Sequence, residues 1–277
     1  MQKFKRGSGL AFSTPTIMNK YFLFFLLSLA TTVFSYGQKL KAVYEYLPSP
    51  MATFREEVYF QNGVKTSVRD SLAQPKPQAT DNANDDELSG SMSVTLDLGK
   101  VYRNIIIQKN NAAQLLETRS FKGSNYLVSD ELQPLVWNTN YSDVDTLGKH
   151  ICHKATATYR GTTLVAYYTN DIPVPAGPYK FGGLPGLIVM LYNEGVNPHY
   201  WLLKEIEYPY TGEIPVNEKY MNALPKLSLE SYIKKEDLEN EERMRMMMSK
   251  MPLIEGVTVE RKKVRGSVEQ VYEWEKN

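Results

Sequence analysis

Residues 171–188 read DIPVPAGPYKFGGLPGLI, and this segment decides the fold because turn-forming residues are concentrated in it. Four prolines and four glycines fall between Asp171 and Gly186, with strand-like runs on both sides. Proline fixes φ and removes a backbone donor, so the segment cannot lie within the middle of a sheet. Glycine permits positive φ or the close approach of another backbone. We therefore predict a rigid double turn that joins two strands and inserts Leu184 and Leu187 into the core.

Short alternating runs of apolar and polar residues surround this segment. Residues 56–60 and 64–68 flank Asn62-Gly63, a pair that supplies the positive φ angles of a tight hairpin turn. Further strands are predicted over 94–98, 101–107 and other segments of similar length. Because no helical pattern separates them, the strands predict an antiparallel meander.

The C-terminal part differs from the rest of the chain. Ser228 is predicted to cap a helix from Leu229 to about Lys250. Polar residues interrupt its apolar stripe, so we expect only the two ends of the helix to be buried. Residues 257–260 and 268–274 alternate and predict closing strands or a paired edge. The predicted fold is mainly β (α+β): a strongly curved antiparallel sheet with one C-terminal helix packed on it.

The first 37 residues have the pattern of a secretory signal peptide. A basic start precedes the apolar run Tyr21–Phe34, and the small residues Ser35 and Gly37 precede the expected cleavage point. The apolar run is shorter than the roughly 20 residues that span a bilayer. No cysteine lies near this point, so we predict an exported, non-lipidated protein, periplasmic or associated with the outer envelope. The sequence leaves Met1 and Met18 as alternative starts.

The remaining residues, 38–277, are predicted to form one domain with a mobile polar loop at 71–93. Cleavage after residue 37 would remove four basic residues and no acid, changing the formal net charge from +1 to −3. Nucleic-acid binding depends on clustered positive charge, so it is not expected. The single cysteine, Cys152, cannot form an internal disulfide.

Two groups of residues could in principle bind a soft metal ion. One contains His150, Cys152 and His153, and the other is a cluster of methionines: Met244, Met247, Met248 and Met251. On a strand, however, His153 faces away from the other two residues of its group. The favoured interpretation is a buried cysteine that packs as a small apolar residue, with the methionines in a core or ligand-facing lid. We predict no cofactor.

The segment and its surroundings resemble the GLPGLI family, also called Porph_ging, a group of exported Gram-negative proteins. The resemblance is specific over residues 137–192 and departs from the family pattern at Tyr167, where a tryptophan is expected. It implies a fold and an export route, but the family brings no established activity. The motif residues to which the resemblance assigns a structural role are Gly177, Pro178, Phe181, Gly183, Leu184, Pro185, Gly186, Leu187 and Ile188.

Within the segment, only Asp171, Tyr179 and Lys180 have acid–base potential, and no nucleophile accompanies them in sequence. No catalytic residue is therefore predicted. The first hypothesis is a non-enzymatic binding or carrier module for an apolar ligand, held between sheet and helix, or for an envelope partner. The alternatives are a copper- or zinc-handling protein and a hydrolase whose site is assembled from distant residues.

Overall fold

In a computed structural model of the protein, the described residues form twelve strands, and these belong to one sheet. The structure describes residues 39–50, 52–72, 101–109, 114–195, 197–249 and 265–275, all within the unit Lys39–Asn277. The predicted signal peptide and almost all of the predicted loop lie outside these residues. The first six strands are β1 (Leu40–Ser49), β2 (Ala52–Gln61), β3 (Val64–Leu72), β4 (Val101–Lys109), β5 (Gln114–Phe121) and β6 (Ser124–Glu131). The next six are β7 (Val144–Leu147), β8 (His150–Tyr159), β9 (Thr162–Thr169), β10 (Leu187–Glu194), β11 (Tyr200–Glu207) and β12 (Lys226–Ser228).

The strand order confirms the predicted meander. It runs β12-β6-β5-β4-β3-β2-β1-β11-β10-β9-β8-β7, with every pair antiparallel except β12 and β6. Two meanders, β1–β6 and β7–β11, are therefore joined where β1 pairs with β11. The hairpin at Asn62-Gly63 has the positive φ angles that its sequence predicts, 51° and 72°.

Strong curvature of the sheet is visible in contacts between strands that are far apart in this order. Arg160, in the turn between β8 and β9, bonds Asp130 of β6 with nitrogen–oxygen distances of 2.7 and 2.9 Å. These strands can meet only if the sheet folds around its own concave face. The prediction of a strongly curved, mainly β fold is confirmed.

Residues 170–186, which we call the bend, connect β9 to β10 and lie against the concave face. The carbonyl of Phe181 accepts a bond from Lys65 Nζ of β3 at 2.5 Å, and that of Gly182 accepts one from Trp137 Nε1 at 2.9 Å. Leu184, Leu187 and Ile188 are each at most 1% exposed. The predicted insertion of the leucines into the core is confirmed.

Helix α1 (Glu218–Ala223) is short, and α2 (Leu229–Ser249) matches the predicted C-terminal helix. Ser228 Oγ accepts a bond from Ser231 N at 3.2 Å, as expected of an N-cap residue. Only the first turns of α2 are buried, through Leu229, Tyr232 and Ile233. The expected burial of its other end is wrong, because the methionines described there are largely exposed. Neither described helix has the length and apolar composition needed to cross a membrane.

The predicted strand over 268–274 is also wrong. This part of the chain is irregular and ends in a 3-10 turn, Glu273–Glu275. Val268 and Glu269 are both buried. The backbone N–H groups of Gln270 and Val271 instead donate to the carbonyl of Arg160, each at 2.9 Å. The predicted strands over 94–98 and 257–260 lie outside the described residues.

Candidate functional site

The bend places two polar side chains in the interior. Tyr179 has a φ of 53°, which turns its backbone N–H toward the Glu56 carboxylate of β2. The next residue, Lys180, extends its amine into a group of buried charges. A Cβ on Gly186 would lie only 1.9 Å from the carbonyl oxygen of Thr169, so no larger residue fits at the end of the bend. The bend therefore contributes polar groups to the interior as well as apolar ones.

The buried charge cluster consists of three acids and three bases: Glu117, Asp130, Glu269, Arg119, Arg160 and Lys180. Lys180 Nζ lies 2.8 Å from Asp130 Oδ2, 3.2 Å from Glu269 Oε1 and 3.4 Å from Glu117 Oε2. Arg160 bonds Asp130 at 2.7 Å and Glu269 at 2.5 Å. Strands β5 and β6, the β8–β9 turn, the bend and the C-terminal segment each contribute a member. The cluster thus joins parts of the chain that are distant in sequence.

The charges in the cluster stabilise one another. Burial alone would raise the pKa of Asp130, but the charges of Lys180 and Arg160 outweigh it and lower that pKa to about 2. Burial alone would lower the pKa of Lys180, but the surrounding acids, Glu269 first, raise it well above its ordinary value. All these groups are charged at neutral pH. Their equal number and close pairing are typical of a structural ion network.

A cavity of about 690 Å³, which we call the large cavity, lies beside this cluster. The register of the sheet places Phe60, Lys65 and Gln108 in one cross-strand row, and all three line it. Further apolar walls come from Leu132, Leu135 and Phe181. Three lysines, Lys65, Lys109 and Lys180, also line the cavity, and no acidic residue of the described part of the chain does.

Lys65 is the unusual member of this lining. It is 5% exposed, donates one hydrogen bond, to the carbonyl of Phe181, and forms no ion pair with a described residue. Burial lowers its pKa to about 7, against an opposing effect of the Glu56 charge. The neighbouring Gln108 Oε1 is buried without a hydrogen-bond partner in the described part of the chain. The amine of this cavity-lining lysine therefore gains and loses its proton near neutral pH.

Four residues further along β3, a second row contains Glu56, Arg69 and Asn104. Arg69 and Asn104 line a cavity of about 240 Å³, which we call the small cavity, together with Arg119 and the rings of Tyr46, Tyr179, Trp201 and Tyr232. The central carbon of the Arg69 guanidinium lies 4.5 Å from the centre of the Tyr46 ring. This cavity combines guanidinium groups with aromatic walls.

The space between α2 and the rest of the fold does not have the expected apolar character. A cavity of about 300 Å³ lies there, and half of its lining residues are charged: Arg119, Glu236, Asp237, Glu239, Arg243 and Arg265. The middle of α2 is polar, so the face that it turns toward the fold carries charges. The apolar surfaces of the large cavity include no residue of α2.

The residues of the two predicted metal groups do not converge in the structure. Cys152 is fully buried, and burial raises the pKa of its thiol to about 11. His150 Nδ1 lies 3.9 Å from an Asp171 carboxylate oxygen, and the ring of His153 lies near Tyr168. Met244 and Met247 are exposed and Met248 is half-buried, while Met251 lies outside the described residues. Across the described ranges, no group of three or more His, Cys, Asp or Glu side chains is arranged to hold a metal ion.

The sequence contains a signal for the buried charges. Glu56 alternates with Val58, Glu117 with Leu115, and Asp130 with Val128, so each acid shares a strand face with a buried apolar residue. Of the residues singled out from sequence, Tyr179 and Lys180 contact the buried acids, and Phe181 and Gly183 line the large cavity.

Comparison with known proteins agrees with the resemblance found in the sequence. The model of the Porph_ging family, described as a protein of unknown function, matches residues 154–190, from β8 through the bend into β10. The predicted resemblance to this family is confirmed. No curated protein matches the sequence.

Two solved structures of PNGF-II are similar at low identity. The structure in the C2 space group has a TM-score of 0.46 and 11% identity, and covers 71% of this chain and 32% of that chain. The structure in the P21 space group gives a TM-score of 0.45, 11% identity and the same coverage. This chain therefore spans about a third of the length of those proteins, with 32% of each covered.

Proposed function

We propose that the chain is an exported, non-enzymatic binding or carrier module of the cell envelope, and that the large cavity is its ligand site. The ligand that fits best is an amphipathic molecule with an apolar body and an anionic head. This differs from the wholly apolar ligand expected from sequence, and the site differs from the expected one under the helix.

The lining of the large cavity is the observation that carries this proposal. Its volume of about 690 Å³ lies within the range of small-molecule sites, about 300–1,000 Å³. Phe60, Leu132 and Leu135 offer an apolar wall, and Lys65 offers an amine that makes no ion pair with the described residues. An anionic head placed beside Lys65 would restore the charge that burial suppresses, because an adjacent negative charge favours the protonated amine.

Calorimetric titration with dodecanoate and with dodecanol tests the ligand class. We expect dodecanoate to bind with one site per chain and dodecanol to bind at least about tenfold more weakly, because a charged hydrogen bond contributes roughly 1.5–3 kcal/mol. Lys65→Met should remove most of this preference, and Lys204→Met, at an exposed lysine paired with Glu45, should leave it unchanged. Equal binding of the two probes, or no binding of either, would contradict the proposal.

Export is tested separately, since it depends on residues 1–37. We expect protein expressed from the full sequence in a Gram-negative host to be recovered from the periplasmic or outer-envelope fraction, with its N-terminus at Gln38. Recovery of uncleaved protein from the cytoplasm would contradict export without bearing on the cavity.

A further inference from the structure

The small cavity contains two guanidinium groups with unused hydrogen-bonding capacity. Arg69 donates no hydrogen bond to any described residue, and its Nε is buried; its ion pair with Glu56 spans 3.6 Å. Arg119 lies 3.0 Å from Glu117 Oε2 and 3.6 Å from Glu269 Oε2, yet its Nε makes no well-aligned hydrogen bond within the described residues. Guanidinium groups present five N–H donors each, and buried donors are normally satisfied.

An acceptor in the same cavity is also without a partner. Asn104 is 5% exposed, and its amide nitrogen donates to Glu117 Oε1 at 3.1 Å and to the carbonyl of Thr118 at 2.6 Å. These two bonds fix the orientation of the amide. Its Oδ1 is buried and accepts no hydrogen bond from the described chain. The sheet pairs Asn104 directly with Arg69, so the free acceptor and the free donors are neighbours.

The cavity is held open by rigid surroundings. The rings of Tyr46 and Trp201 stack with centroids 4.7 Å apart, and Arg69 lies over Tyr46. Of the two acids in the lining, Glu117 is engaged by Arg119, Lys180 and Asn104. Burial raises the pKa of the other, Glu236.

We propose that the small cavity is a second binding site, for a small hydroxycarboxylate. The carboxylate would accept bonds from Arg69 and Arg119, since a planar guanidinium matches a carboxylate in geometry and charge. The hydroxyl beside it would donate to Asn104 Oδ1. A volume of about 240 Å³ suits a compact molecule of this class. The site is independent of the large cavity and of the ligand proposed there.

Three probes separate the parts of this recognition. Lactate carries both groups, propionate lacks the hydroxyl and lactamide lacks the charge. In calorimetry at low ionic strength we expect lactate to bind, propionate to bind about tenfold more weakly because Asn104 stays unpaired, and lactamide to give no measurable binding. Equal affinity for lactate and propionate, or no binding of lactate, would overturn the proposal; the second result means that the cavity holds water only.

Variants test the residues assigned to each contact. Asn104→Leu should reduce lactate affinity to that of propionate, and Arg69→Lys should weaken both acids by about tenfold or more because the planar pair of donors is lost. Arg103→Lys is the matched control: Arg103 precedes Asn104 on β4, is exposed and pairs with Asp70 at 3.1 Å. A lactate affinity that Arg69→Lys leaves unchanged would overturn the proposal, and this variant suffices if Asn104→Leu does not fold. Dodecanoate binding should be the same in all three variants.

Discussion

Lys65 and Lys180 show that the effect of burial on a lysine pKa depends on the partners of its amine. Both are 5% exposed, and both line the large cavity. Lys180 has three carboxylates within 3.4 Å, and its pKa is raised, whereas Lys65 has one carbonyl and a pKa lowered to about 7. The same side chain is thus a fixed part of an ion network in one region and a titratable group in the other.

The difference between the two lysines depends on the bend. Phe181 of the bend supplies the carbonyl that Lys65 contacts, and the adjacent residue is Lys180 itself. The desolvation cost of an isolated buried charge is several kcal/mol, and it is recovered only where partners are held in place. A variant that displaces the bend should therefore disturb both regions.

The largest expected effect is that of Gly186→Ala, because the new Cβ would meet the Thr169 carbonyl oxygen at 1.9 Å and backbone atoms must move. We expect a loss of more than about 4 kcal/mol in the free energy of unfolding, or failure to fold. Gly183→Ala is the control, since its φ of 85° is strained for alanine but nothing lies within 4 Å of the new atom. It should cost about 1 kcal/mol. Urea denaturation measures the free energy of unfolding of both variants. Similar losses would show that the close contact at Gly186 does not determine the cost of the substitution.

Replacing each lysine by methionine tests the comparison directly. Lys180→Met leaves three buried acids without their shared cation, and removing one partner of a buried ion pair typically costs about 3–5 kcal/mol. Lys65→Met removes an unpaired charge and should be neutral or stabilising near neutral pH. In denaturant unfolding, the changes in the free energy of unfolding caused by the two substitutions should therefore differ in sign or by several kcal/mol. Equal destabilisation would mean that the ion network around Lys180 has no special importance.

The sequence predicted the fold better than the site, for a physical reason. Strands and turns follow from local signals, such as the alternation around Asn62-Gly63 or the prolines of the bend, and these held in the structure. The charge cluster depends on which distant strands the curvature brings together. Arg160 and Asp130 are 30 residues apart, and Glu269 lies a further 109 residues beyond Arg160.

A strand predicted from residue alternation is absent where buried ion pairs determine the conformation of the chain. The segment 268–274 alternates like a strand, but Glu269 turns inward to meet Lys180 and Arg160, and this contact overrides the pattern. The sequence signal for the charge cluster is an acid on an otherwise apolar strand face, such as Glu117, two residues after Leu115. Such acids indicate that buried cations must exist, although not which ones.

The smallest expected effect is the pH dependence of stability, to which the two lysines contribute with opposite signs. The folded-state pKa of Lys65, about 7, is below the ordinary lysine value, so the unfolded chain binds more protons above pH 7 and stability rises with pH. The raised pKa of Lys180 acts in the opposite direction, but its contribution is complete at neutral pH and begins to be lost only above the ordinary lysine pKa. Between about pH 7 and pH 9, Lys65 therefore dominates the difference.

Comparison with Lys65→Met isolates this contribution, because other titrating groups are common to both proteins. The stability advantage of Lys65→Met over the parent should be largest near about pH 6 and shrink by up to about 1.4 kcal/mol per pH unit above pH 7. Lys204→Met, which removes an exposed lysine, should show no such trend. A constant difference across this range would mean that the Lys65 amine keeps its proton when buried, and that the carbonyl of Phe181 and the charge of Glu56 are together sufficient partners for it.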